Sequence, residues 1–170
     1  MRLVYCRKHI EIHKMTRIFI ISSVLMAVLQ TQIASAQADQ MCKPLKAFIE
    51  SVKPDEDKSF EFHTIWGGSF KDSPEETFFA KRCVHNDYAP AKGICDYLVE
   101  HGAIEFSDIN LKRAISCLSP GTQFAKNVLI HRLETSFSYG TDERGTNIEI
   151  TYDWNDAIGA MVLKLTAHGY

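Results

Sequence analysis

The chain has 170 residues, 45% of them hydrophobic and 24% charged, which is the composition of one globular domain and not of a disordered or fibrous chain. Its 21 acidic and 19 basic residues leave a net charge of −2, and no single element gathers a Lys/Arg cluster, so nucleic-acid binding is not expected. Five cysteines in so short a chain raise the question of compartment, which the first segment addresses.

Residues 1–38 differ in kind from the rest. Ile18–Leu29 is an apolar run of 12 residues, preceded by Lys14 and Arg17 and followed by the small and polar stretch QTQIASAQA, the order of a signal peptide. A bilayer-spanning helix needs about 20 apolar residues, so no stable membrane anchor is expected after cleavage. Cleavage is expected after Ala36 or, preferred here, after Ala38, and Met15 would begin a more compact leader than Met1. Cys42 follows Met41 and not a small residue, which argues against lipidation. Removing residues 1–38 takes away five basic residues and one acidic residue, and leaves 39–170 with a net charge of −6. The expected product is periplasmic or secreted, and a partner bound electrostatically is expected to be basic.

Residues 40–52 place Leu45, Phe48, Ile49 and Val52 at i, i+3, i+4 and i+7, one face of an amphipathic helix with Pro44 in its first turn. Ser59–Trp66 alternates in period two and is rich in aromatics, which predicts a strand. Gly67-Gly68 then bends the chain, with Ser69–Lys71 as a short returning arm. Ser73-Pro74-Glu75-Glu76 has the form of a capping box and predicts a helix that buries Phe78, Phe79 and Cys83. A second helix opens at Ala89-Pro90, buries Ile94, Cys95, Leu98 and Val99, and ends at Gly102 in a left-handed cap. Ser107 caps a third, with Leu111, Ala114, Ile115 and Leu118 inward and Cys117 near its end. The remainder changes to strand patterning over Val128–Tyr139, Thr146–Trp154 and Ala160–His168, a three-stranded antiparallel meander. The strand at 59–66 is expected at its edge or packed beside it.

The fold expected is therefore a single α+β domain over 39–170, with an N-terminal helix and strand, a disulfide-braced three-helix segment and the C-terminal meander. Four cysteines lie beyond residue 38, and an exported domain with an even count predicts two disulfides among three connectivities. Cys83 and Cys95 sit on neighbouring predicted elements and favour a local bridge, which leaves Cys42 with Cys117.

No nucleophile elbow, phosphate-binding loop, dinucleotide fingerprint or H-E-x-x-H motif occurs in the sequence, and no cofactor or metal is called for. His63, His131 and His168 fall in predicted strands and, with Glu61 or Glu134, are the residues a dispersed hydrolytic site would use. Two loops are the better recognition candidates. Trp66-Gly67-Gly68-Ser69-Phe70 puts large aromatics around a bend, against the simpler reading of Trp66 tucked into the core. Asp142-Glu143-Arg144-Gly145 is a polar hairpin tip suited to a cleft, or simply a solvated turn. The function expected is a small exported binding protein, of inhibitor or immunity type, that occludes another exported protein. The alternatives are an envelope structural or secretion-accessory component, and a small hydrolase.

Overall fold

The computed structural model describes residues 40–73 and 77–170; the expected leader, both expected cleavage positions and Pro74-Glu75-Glu76 of the expected capping box lie outside them. The chain folds as α+β, with three helices packed on one face of a five-stranded antiparallel sheet. Helix α1 covers residues 40–51, α2 Ala89–His101 and α3 Asp108–Leu118. The strands are β1 Asp57–Trp66, β2 Phe79–Val84, β3 Leu133–Gly140, β4 Gly145–Asn155 and β5 Ala160–Gly169, in the spatial order β2-β1-β5-β4-β3.

Side-chain alternation divides the sheet into a covered and an open face. Phe60 and Phe62 of β1, Ile148, Ile150 and Tyr152 of β4, and Leu163, Leu165 and Ala167 of β5 are buried under the helices. From α1, Met41, Leu45, Phe48 and Ile49 enter the same core, as do Ala91, Ile94 and Leu98 of α2 and Leu111 and Ala114 of α3. The rings of Phe48 and Phe60 meet edge to face at 5.4 Å. Burial of a side chain such as Phe or Leu contributes roughly 1.5–3 kcal/mol, so this layer supplies the main drive for folding.

Both expected disulfides form. Cys42–Cys117 joins α1 to α3, and Cys83–Cys95 joins β2 to α2. The element bearing Cys83 is not the expected helix. Phe79–Val84 is an edge strand with six registered pairs to β1, from Glu61↔Val84 to Trp66↔Phe79. The sequence FFAKRCV suits either period, and pairing to an otherwise open strand edge, with Cys83 placed opposite Phe62 and toward α2, prevails over local helix signals. The braced segment therefore holds one strand and two helices among the described residues.

Strand β1 joins the edge of the meander, as expected, by pairing with β5, and β2 adds to its other side. Three smaller expectations change. Residues 128–132 do not extend β3, because side chains of α3 take up their backbone groups: Asp108 Oδ2 accepts from Ile130 N at 3.1 Å, and Lys112 Nζ donates to Val128 O. Gly102 is extended, with φ −65°, and not left-handed. A Cβ there would lie 2.7 Å from the Phe62 ring, so glycine is required for close approach of helix end and sheet. Ser107 leaves the α3 terminus uncapped and shares a 2.6 Å hydrogen bond with Tyr152 Oη. Among the described residues no helix is long and apolar enough to cross a membrane.

Candidate functional site

The first recognition loop divides between surface and interior. Trp66 is 53% exposed because it lies at the last position of β1, on the covered side. Its ring stacks on Phe79 at 6.1 Å and meets Phe78 edge-on at 5.9 Å, while Phe78 and Phe79 are themselves 67% and 55% exposed. The expectations of Trp66 in the core, and of Phe78 and Phe79 buried on a helix, are thus replaced by one exposed cluster. Its neck is narrow: Gly67, with φ +79°, and Gly68 both donate through their amides to Phe78 O, at 2.8 and 3.2 Å. The positive φ is a conformation that favours glycine. A helical reading of this segment hides Phe78 and Phe79; the signal that reveals them is an aromatic pair that begins a strand opposite Trp66.

Phe70 belongs to a different environment. It is buried against Ile65 and Ala160, with Ala80 and Ile158 alongside, so Gly68–Asp72 forms a strap across the open face and not a hairpin arm. Lys71 fastens it to the β4–β5 turn through Lys71 N to Ile158 O at 2.9 Å and Lys71 Nζ to Asp156 O at 2.8 Å.

A line of five polar side chains runs across the open face and ends on Asp72 of the strap itself. Lys164 Nζ lies 3.2 Å from Glu61 Oε1, and Glu61 Oε2 lies 3.1 Å from Nε2 of His63. Arg82 Nε donates to His63 Nδ1 at 3.0 Å, and the two terminal nitrogens of Arg82 donate to the Asp72 carboxylate at 2.9 and 2.7 Å. The guanidinium also lies 4.5 Å from the Phe70 ring centroid. Burial raises the Glu61 pKa, but hydrogen bonds from His63 and Lys164 outweigh it and hold the carboxyl below its ordinary value. The bidentate bond from Arg82 does the same for Asp72.

The second loop, Asp142-Glu143-Arg144-Gly145, is an exposed hairpin tip closed by Thr141 N to Arg144 O at 3.0 Å. It adjoins the N-terminus of β4, which runs parallel to β1, so it lies at the end of the sheet away from Trp66. With ten residues in β1 the two ends stand about 30 Å apart, and the two loops do not make one surface.

The three histidines are not brought together. His63 is under the strap and 3% exposed. His168 bonds Asp57 at 2.7 Å near the opposite end of β1, and His131 lines a separate depression with Phe106, Leu129 and Met161. Glu61 borders a groove of about 530 Å³ with Lys164, Asp153 and Trp154, while Glu134 borders another of about 500 Å³ with Ser136 and Glu149. Glu61 and His63 do touch, but both ring nitrogens of His63 are engaged, so neither is offered to a substrate. Among the described residues no group of three or more His, Cys, Asp or Glu has the geometry to hold a metal ion.

Comparison of the chain with protein-family models, with curated proteins and with solved structures finds no match to any of them.

Proposed function

We propose that this is an exported binding protein that occludes another exported protein, with Trp66, Phe78 and Phe79 as the centre of the contact. The observation that carries the reading is the exposed, mutually stacked aromatic cluster on an edge hairpin. Contiguous exposed apolar side chains mark interaction surfaces, and Trp is among the residue types that dominate binding energy. The hairpin supports them on a strand tied to α2 by Cys83–Cys95, so little conformational freedom is lost on docking. Such a contact acts by covering a partner's surface and needs no chemistry of its own. The polar tip at Asp142–Gly145 belongs to the other end of the sheet and is not part of this contact.

The test is affinity capture from envelope extract with the wild-type chain, with Trp66→Ala/Phe78→Ala, and with Asp142→Ser/Arg144→Ser. A stoichiometric partner retained by wild type and tip variant, and weakened at least about 30-fold by the aromatic variant, is the expected outcome. Equal retention by the aromatic variant, with its folding checked by circular dichroism, overturns the assignment. The same exposed aromatics also favour a second reading, a self-associating envelope or secretion-accessory component. Sedimentation separates the two: concentration-dependent association of the purified chain, abolished by the aromatic variant, supports the second.

A further inference from the structure

The buried histidine in the polar line has only one protonation state compatible with its neighbours. An arginine Nε–H can donate and never accept, so His63 Nδ1, 3.0 Å from Arg82 Nε, presents a lone pair. The ring is therefore neutral, with its proton on Nε2 directed at Glu61. Adding a proton to Nδ1 turns donor against acceptor into donor against donor, and sets an imidazolium beside a guanidinium. At 3% exposure water does not fill the gap, and an unsatisfied or like-charged contact in such a site is costly.

One of the two side chains must then move. His63 lies on an internal strand, is bonded to Glu61 and packs edge-on to Phe70 at 6.4 Å. Arg82 lies on edge strand β2 and its side chain is 31% exposed, so it is the freer of the pair. It also carries the strap, through two bonds to Asp72 and its position on the Phe70 ring. The strap leads at Gly67 and Gly68 into the neck that bonds Phe78 O.

We propose that His63 is a proton-operated clasp: neutral, it anchors Arg82 and with it the Asp72–Phe70 strap, and protonated it releases both and rearranges the Trp66–Phe78–Phe79 cluster. The consequence for partner binding rests on the reading of that cluster as the contact surface; the clasp itself does not.

The charged groups around His63 leave it as the responsive element. Its own strand contributes Glu61, β2 contributes Arg82, and the strap contributes Asp72. Strand β5 contributes Lys164, through Glu61, and Asp153 of β4 lies beyond Val162, paired with Arg132 at 3.2 Å. Imidazole is the side-chain type that ordinarily changes charge between about pH 5 and 8. Glu61 and Asp72, held below the carboxylate range, stay ionised throughout that window. A local charge change acting on a two-position element is a known route to switching.

The experiment follows nuclear magnetic resonances of the disulfide-intact chain from about pH 7.5 to about pH 5, the interval in which imidazole titrates. The probes are the His63 ring, the Phe70 amide and the Trp66 indole N–H, with the amide of Leu45, buried in the core under the covered face, as control. In wild type the first three move together with one midpoint while Leu45 stays fixed. In His63→Gln, whose side chain can accept from Arg82 and donate to Glu61 without gaining a proton, Phe70 and Trp66 hold their neutral-pH positions. Asp72→Asn, which keeps the imidazole and weakens the strap, shifts Phe70 at neutral pH toward its acid position. The clasp is overturned by any of three results: His63 does not titrate in this interval, it titrates while Phe70 and Trp66 stay still, or His63→Gln shows the wild-type shifts. No partner enters the measurement, so failure of the clasp and failure of the binding reading are told apart.

Discussion

The covered face of the sheet is closed by apolar side chains and two disulfides, whereas the strapped part of the open face is held by a line of charges and hydrogen bonds. Phe60 and Phe62 point into the first, and their neighbours Glu61 and His63 into the second. One strand thus carries two kinds of cohesion, one indifferent to protons and one composed of groups that exchange them. The difference teaches where to look for stability and where for response. Ring burial and covalent closure set how firmly the domain folds, while ionisable contacts set what it does when conditions change.

The largest effect expected from this contrast comes from removing a ring on the covered face. Phe60→Ala should cost about 3–5 kcal/mol, read as a lower urea midpoint with the slope unchanged. Thr151→Ala, on an exposed position of the open face, should remain within about 0.5 kcal/mol of wild type. Comparable losses at the two positions would show that the open face is covered in solution by something the described residues do not include.

The disulfides come next, and they should differ from each other. Cys42–Cys117 closes 75 residues of chain and Cys83–Cys95 only 12. On the loop-entropy argument, replacing the first pair by alanine should cost about 4 kcal/mol and the second about 3. The second loss should also be local, with hydrogen exchange rising first in β2, since an edge strand keeps one ladder only. Uniform exchange in both variants would mean that neither bridge has a regional role.

Much of this architecture is legible in the sequence, and the failures share a cause. Leu45, Phe48 and Ile49 on α1, Ile94 and Leu98 on α2, and Ile148, Ile150, Leu163 and Leu165 on the sheet all take the faces their periodicity assigns. The local spacing of Cys83 and Cys95 suffices for their pairing even though one of them changes element type. What is not legible depends on contacts between segments distant in sequence. Phe79–Val84 becomes a strand because β1 offers it an edge. Residues 128–132 leave the β3 ladder because Asp108 and Lys112 satisfy their backbone groups. Gly102 answers to a ring forty residues earlier. The candidate site suffers in the same way: Trp66 alone is visible in the sequence, while its partners Phe78 and Phe79, and the burial of Phe70 over His63, need the strap and β2 in place.

The smallest effects are those of pH, and between acid and neutral pH they are expected on the open face. Glu61 and Asp72 have folded values depressed below their ordinary 4.5 and 3.8. Their contribution is therefore present above those values and lost as pH falls through the depressed ones. His168 is the opposite case: its bond to Asp57 raises it above 6.5, so its contribution is complete below 6.5 and disappears as pH rises through the raised value. Solvent screens the exposed members of both groups, so each limb should be shallow. Urea midpoints measured across pH should fall on the acid side in wild type and less in Glu61→Gln. They should also fall slightly on the alkaline side of 6.5 in wild type and not in His168→Gln. If both variants keep both limbs, the pH response originates elsewhere, and the division of labour between the two faces of the sheet is wrong.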